Sequence, residues 1–170
     1  MQGFFPHKLA HKMLEIGPKV IARPLAIVPF TLKAELLKRI LGLLLAEQAA
    51  DEELDFLEGR WVAINIEDLG LTFEVTYTDT WQVRQLQDAE VTFTAQSKEL
   101  LLIAAAKEDP DTLFFQRKLS IEGDTELGLE VKNLLLSVEF DAMPAGIRVA
   151  IEKLAQALQA LQAKAEPALA

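Results

Sequence analysis

The feature that most constrains this chain is a period-two alternation of apolar and polar residues between Trp61 and Asp124. Successive side chains of a strand point to opposite faces, so the alternation predicts strands with one apolar face. Five segments predict a mainly antiparallel sheet that is open to water on its polar face. The apolar positions are Val62, Ile64 and Ile66; Leu71, Phe73, Val75 and Tyr77; Trp81 and Val83; Val91, Phe93 and Ala95; and Leu119 and Ile121.

Helical spacing precedes the alternating region. Leu9, Met13 and Ile16 lie one turn apart, and a longer helix is predicted after Pro29. Its apolar stripe consists of Leu32, Leu36, Ile40, Leu43 and Leu44, with Lys33, Lys38 and Arg39 mainly on other faces. These helices form a predicted N-terminal extension, residues 1–59.

Helices are also predicted beyond the fourth alternating segment. One spans 98–107, and a short second one begins at Asp109-Pro110 and carries Phe114 and Phe115. A third presents Val131, Leu134, Leu135 and Val138 on one face. We therefore expect an α+β core, residues 60–145, whose five-stranded sheet is covered on one face by helices.

A last amphipathic helix is predicted at 146–164, followed by a tail at 165–170. Ile147, Ile151, Leu154, Leu158 and Leu161 follow a coiled-coil-like spacing. This row of apolar residues could pack on the chain's own core or form a dimer. Packing on the core is the preferred interpretation because the repeat is short.

Charge and cysteine content exclude several classes of protein. The net charge of −9 argues against a general nucleic-acid binder, and the absence of cysteine excludes disulfides, a thiol nucleophile and an iron–sulfur cluster within the chain. Residues 1–40 are the exception in charge, with seven Lys or Arg against two Glu. This cationic, apolar region suits an anionic membrane surface or an acidic partner. Lys33, Lys38 and Arg39 are the predicted membrane-facing residues.

The apolar runs are too short to span a bilayer, which takes about 20 residues. Arg23, Pro24 and Pro29 interrupt what would be the apolar core of a secretory signal. We expect a cytoplasmic protein, with peripheral attachment at the inner membrane as an option.

Catalytic and metal motifs are scarce. The two histidines, His7 and His11, form HxxxHxxxE with Glu15, which would place three ligands along one helical face. No fourth ligand is suggested nearby, so surface histidines are the preferred interpretation and no metal site is expected. The sequence has no GxSxG elbow, P-loop or GxGxxG fingerprint. We expect no catalytic residues and no cofactor.

The apolar content exceeds what a small sheet requires. Residues 100–103 and 134–136 are apolar around more than one side of their helices, and Phe114 and Phe115 are adjacent. A helix that is apolar on several sides packs against protein or against a ligand on each of them. From pattern alone, ordinary core packing is the default and a ligand cavity is the alternative.

One segment resembles a known family. Leu119-Ser120-Ile121-Glu122-Gly123-Asp124 is similar to the strand that, in the sterol-carrier-protein family, lies between a small helix and a final helix. The run from Asp109 to Arg117 resembles one branch, bacterial accessory factors of oxygen-independent ubiquinone biosynthesis. Gly17-Pro18, Pro29-Phe30 and residues 54–61 resemble the same branch, so the similarity covers about residues 15–145.

The resemblance implies a non-catalytic lipid-binding protein with an apolar tunnel between sheet and helices. It further implies that the cargo is a prenylated quinone precursor or another membrane lipid. The implied partners are iron–sulfur, peptidase-like hydroxylase subunits and other ubiquinone-biosynthesis proteins. The residues expected to line the tunnel are Phe73, Val75, Phe93, Leu101, Phe114, Phe115, Leu134, Leu135 and Val138.

Two alternatives remain open. A protein-assembly scaffold would use the same apolar helices to bind protein and would hold no ligand. An acyl-transfer enzyme is a weaker alternative, because the predicted sheet region has neither histidine nor cysteine.

Overall fold

The computed structural model describes residues 27–139, 141, 143–153 and 156. Its strands are β1 (Val62–Ile66), β2 (Leu71–Thr78), β3 (Thr80–Arg84), β4 (Val91–Ala95) and β5 (Ser120–Gly123). Its helices are α1 (Phe30–Leu44), α2 (Ala46–Ala50), α3 (Ser97–Ala104), α4 (Pro110–Phe115), α5 (Thr125–Ser137) and α6 (145–153). Two 3-10 turns, Asp55–Leu57 and Glu67–Leu69, flank β1.

The five strands form one sheet in the order β3-β2-β1-β4-β5. Only the central β1–β4 pair is parallel, with Val62 opposite Val91, and the other three pairs are antiparallel. All five predicted strands are present. The α+β fold with a mainly antiparallel sheet is confirmed.

The apolar face of the sheet carries the main core. Val62, Phe73, Val75, Val91 and Phe93 are buried there. The same cluster takes in residues from the helices and turns around the sheet: Leu45, Leu54, Leu57, Leu113, Leu127 and Leu134. The structure thus packs part of the predicted N-terminal extension into the same core as the strands.

The opposite face is not uniformly open to water, contrary to the expectation from alternation. Ala63, Glu74 and Thr76 are buried on it. The hydroxyl of Thr76 donates to the carbonyl of Leu57 at 2.6 Å. Irregular segments on either side of the strands therefore cover the middle of this face, which strand periodicity cannot reveal.

The orientation of α1 also differs from prediction. Ala34 is buried and Phe30, Leu37, Leu41 and Leu44 pack against the core, whereas Leu32, Leu36, Ile40 and Leu43 are exposed. Of the predicted stripe, only Leu44 faces inward. The helix is apolar on two sides, so its sequence alone could not decide which side would pack.

Local capping signals start α4 and α5, and α4 begins at the predicted Asp109-Pro110. Asp109 accepts a hydrogen bond from the Thr112 N–H at 3.2 Å, with Pro110 in the first turn of α4. Asp124 accepts from the Leu127 N–H at 2.8 Å and caps α5. Such side-chain caps satisfy backbone donors that the first helical turn leaves unpaired.

The described part of the last predicted helix, α6, lies against α3. Ile151 packs on a second, small cluster formed by Leu102 and Ala105. Leu154, Leu158 and Leu161 lie outside the described residues.

Candidate functional site

The interior group of predicted tunnel residues lies on the apolar face of the sheet. Phe73, Val75 and Phe93 are buried on β2 and β4, and Leu134 of α5 is buried in the same cluster. Val138 packs against that cluster from just beyond α5. The three strand residues lie together because alternate positions on paired strands share one face, and the end of α5 adds Leu134 and Val138 to the same cluster.

The remaining predicted residues lie nearer the surface. Leu101 and Leu135 are half-buried, Phe114 is 41% exposed and Phe115 is 80% exposed. Any lipid that Phe115 contacts therefore lies at the protein surface. The assignment of all nine residues to a lipid site stays a prediction.

Phe114 borders a small cleft between α4, β5 and α5. The cleft has a volume of about 190 Å³, and its lining includes Ile121, Gly128 and Leu129. The Phe114 and Phe115 rings meet edge to face, with centroids 5.7 Å apart. This arrangement presents apolar surface beside the cleft mouth, where an acyl or prenyl chain or an apolar side chain of a protein would fit.

A larger groove separates α1 from the hairpin of β2 and β3. Its volume is about 400 Å³. Tyr77 and Trp81 are opposite each other on the hairpin, and their rings meet edge to face with centroids 5.2 Å apart. The other lining residues are Glu35, Lys38, Arg39, Gly42, Ala49, Asp79 and Thr80. The sequence predicts Trp81 on a strand but not in a site. The feature that could have indicated a site is the pair of aromatic residues at one end of a hairpin.

A third cleft is polar. It has a volume of about 280 Å³, and its ionisable lining residues are Glu67, Lys98, Glu99, Arg117 and Lys118. Glu99 is only 4% exposed, and its Oε2 has no hydrogen-bond partner among the described residues. Burial raises the pKa of Glu99, because desolvation disfavours the charged carboxylate more than Lys98, 3.8 Å away, favours it.

The cations predicted to face a membrane lie on α1. Arg39 is exposed, Lys33 is half-buried, and Lys38 pairs with Glu35 at 3.0 Å. Leu32 and Leu36 are 61% and 58% exposed on the same helix. Exposed leucines and the exposed Arg39 thus occur on one helix, and apolar and cationic side chains are combined in this way in helices that lie in membrane interfaces.

The three residues of the histidine motif, His7, His11 and Glu15, lie outside the described part of the chain. Among residues 27–139, 141, 143–153 and 156, no group of three His, Asp or Glu side chains is arranged to hold a metal ion. The helices within those ranges also include none with the length and hydropathy needed to cross a bilayer.

Residues 37–136 match the SCP-2 sterol transfer family. The matched range runs from α1 almost to the end of α5 and includes the whole sheet.

Curated relatives extend the similarity over most of the chain. The ubiquinone biosynthesis accessory factor UbiT of Escherichia coli (strain K12) is 43% identical over 154 residues, which cover 90% of this chain and 88% of that protein. UbiT of Escherichia coli O157:H7 has the same identity and coverage.

Among solved structures, a ubiquinone synthesis protein described as UbiJ-SCP2 superposes with a TM-score of 0.52 at 18% identity. The match covers 65% of this chain and 100% of that one. At this identity the likeness shows a shared fold.

Proposed function

The chain belongs to the SCP-2 sterol transfer family, and from that membership we propose that it is a non-catalytic, lipid-binding accessory factor of ubiquinone biosynthesis. The observation that carries the proposal is the 43% identity to the Escherichia coli accessory factor over 90% of this chain. A match of that extent includes residues outside the sheet as well as within it.

The proposed cargo is a prenylated quinone precursor or another membrane lipid. Each CH₂ group of a prenyl or acyl tail costs about 0.8 kcal/mol to expose to water, so a long tail needs an apolar enclosure to leave the bilayer. Phe73, Val75, Phe93, Leu134 and Val138 belong to one apolar cluster and would form the inner wall of such a tunnel. Leu101, Phe114, Phe115 and Leu135 would form its outer part.

The proposed pathway is the oxygen-independent route, with iron–sulfur, peptidase-like hydroxylase subunits as partners. This chain has no cysteine, so the clusters would belong to those partners. The role of this protein would be to present the quinone ring while shielding the tail.

The proposed membrane contact is peripheral and involves α1. Lys33, Lys38 and Arg39 would meet anionic headgroups, each cation near the surface adding about 1 kcal/mol. The exposed leucines of the same helix would enter the headgroup boundary.

Lipid extraction tests the proposal directly. Full-length protein is purified, denatured and extracted into organic solvent, and the extract is analysed by mass spectrometry. We expect a long-chain lipid at close to one molecule per protein. Protein that carries no lipid and binds no long-chain isoprenoid would contradict the proposal.

A pair of exposed apolar residues tests the outer part of the tunnel. We expect Phe115→Asp to reduce lipid occupancy, because it places a charge beside the Phe114 cleft. Leu86→Asp is the matched control, since Leu86 is also exposed and lies on the loop after β3. Equal lipid occupancy in the two variants would show that Phe115 is not part of the lipid site.

Protein assembly is the second candidate function. The exposed side chains of Phe114, Phe115, Leu129 and Leu136 favour it, because apolar surface of this kind also marks protein interfaces. A scaffold would carry no co-extracted lipid but would still bind its partner enzymes.

A further inference from the structure

We infer that the groove between α1 and the β2–β3 hairpin binds the oxygen-bearing aromatic head ring of the cargo, with the indole N–H of Trp81 as hydrogen-bond donor. The inference rests on the proposed function, in which the cargo is a quinone precursor. It adds to that function the position at which the ring binds and the group that donates a hydrogen bond to it.

The donor is a buried group without an acceptor. Trp81 is only 9% exposed, and its Nε1 has no hydrogen-bond partner among the described residues. Leaving a buried N–H unpaired costs its full desolvation, so buried polar groups of native proteins nearly always have a partner. A quinone or phenol oxygen supplies the missing acceptor after a local rearrangement of the groove lining.

The groove walls suit a flat ring. Tyr77 and Trp81 meet at an interplanar angle of 65°, and aromatic rings favour such edge-to-face contacts. On the opposite wall, nothing lies within 4 Å of the position that a Cβ of Gly42 would occupy. The volume of about 400 Å³ falls within the ~300–1,000 Å³ range of small-molecule sites.

The charges of the groove favour a neutral ring over a phosphate headgroup. Two carboxylates, Glu35 and Asp79, offset two cations, Lys38 and Arg39. Lys38 is already paired with Glu35 at 3.0 Å. A phosphate would therefore meet no net positive charge, whereas a neutral ring needs only the indole donor and apolar contacts.

The groove lies at the end of the strand face that carries residues of the proposed tunnel wall. Tyr77 follows Phe73 and Val75 along β2 on the same face of the sheet, with about 7 Å between alternate residues. A ring beside Tyr77 and Trp81 can therefore extend its tail toward the buried wall residues.

Fluorescence of Trp81 provides the test. The chain has two tryptophans, so Trp61→Phe in the full-length chain leaves Trp81 as the single reporter. The probe is a water-soluble benzoquinone of the ubiquinone type without its tail. We expect saturable quenching of Trp81, and no saturable quenching of Trp61 in the Trp81→Phe chain. Calorimetry with Trp81→Phe should show binding about three- to tenfold weaker, the effect of one neutral hydrogen bond.

A second variant blocks the groove without removing the buried indole. Gly42→Leu puts a side chain into open space on α1, where leucine also favours the helix more than glycine does. We expect it to fold and to abolish probe binding. Gly146→Leu is the matched control, because Gly146 lies in α6 with nothing within 4 Å of its Cβ position. The control should bind the probe as the parent chain does.

The outcomes separate this inference from the proposed function. Glycerol phosphate that binds as tightly as the quinone, or unchanged probe binding in Gly42→Leu and Trp81→Phe, would overturn the head-ring site. If long-chain lipid is still co-extracted in that case, the proposed function stands. If the parent chain carries no lipid and binds no long-chain isoprenoid, the proposed function fails on its own test.

Discussion

The carboxylate of Glu74 accepts a 2.6 Å hydrogen bond from the guanidinium of Arg84 across the β2–β3 pair. Glu74 has no solvent exposure, and its other oxygen accepts from the N–H groups of Gln87 and Ala89, each at 2.8 Å. The Arg84 guanidinium lies over the Trp61 ring, 3.6 Å from its centroid. One buried acid thus anchors the 85–90 segment to the sheet, and Arg84 connects it to Trp61.

Loss of this acid should destabilise the fold. Glu74→Ala leaves Arg84 and two backbone donors without their acceptor, and we expect the free energy of unfolding to fall by about 3 kcal/mol. Glu74→Gln keeps one acceptor oxygen and should cost less. Urea unfolding of the three proteins at neutral pH measures both changes. An alanine variant as stable as the parent would contradict the anchoring role.

The same acid should make stability depend on pH. Burial alone raises the pKa of Glu74, but hydrogen bonds from Gln87, Arg84 and Ala89 outweigh it, so the pKa lies below its ordinary value of 4.5. Because the folded-state pKa is lowered, the stabilisation is present above pH 4.5 and is lost as the pH falls through the lower pKa. The stability difference between the parent and Glu74→Gln should shrink over that interval. A difference that does not change with pH would show that charge plays no part.

Glu99 should behave in the opposite way. Burial raises its pKa, so above that pKa the buried carboxylate destabilises the fold, and protonation relieves the penalty as the pH falls. We expect Glu99→Gln to raise the free energy of unfolding at neutral pH by about 1 kcal/mol, an advantage that disappears in acid. Glu67→Gln is the control from the same cleft, because Glu67 is exposed. Thermal unfolding across a pH series measures the effect, and a Glu99→Gln chain less stable than the parent at neutral pH would contradict it.

Gly123 should tolerate no side chain. Its φ is +119°, and a Cβ would lie 2.4 Å from the carbonyl oxygen of Glu90. We expect Gly123→Ala to cost about 3 kcal/mol or more, since both strain and a backbone clash are introduced. Gly70→Ala separates the two causes, because Gly70 has a φ of +60° with open space around it. It should cost only about 1 kcal/mol, and equal losses in the two variants would rule out the clash as the main cause.

The cations of α1 should contribute to membrane binding. We expect Lys33→Glu with Arg39→Glu to weaken binding to vesicles that contain anionic lipid by at least about 2 kcal/mol, and added salt should reduce the difference. Lys107→Glu, at an exposed position beyond α3, is the control for net charge. Vesicle co-sedimentation measures all three chains. Equal weakening by the control variant would indicate a general charge effect rather than a surface on α1.

Some parts of the structure could be predicted from local sequence. Every predicted strand formed because its alternation is a local consequence of the pleated backbone. Asp109 and Asp124 cap their helices for a similar reason, since a cap involves only residues within one turn. The burial of Phe73, Val75 and Phe93 on one face of the sheet also followed from alternation, because alternate residues of a strand point to the same side.

Other parts depended on which elements meet in space. The parallel pairing of β1 with β4, the burial of Glu74 and the groove at Trp81 all join residues that are distant in the chain. For α1, two sides of the helix offered comparable apolar surface, and contact with β3 selected the side with Ala34. The sequence by itself therefore determined the strands, the helix starts and the apolar face of the sheet, which are set within a few residues. Tertiary structure alone decided which faces are covered and where grooves remain, because burial is shared between surfaces and no single segment specifies its partner.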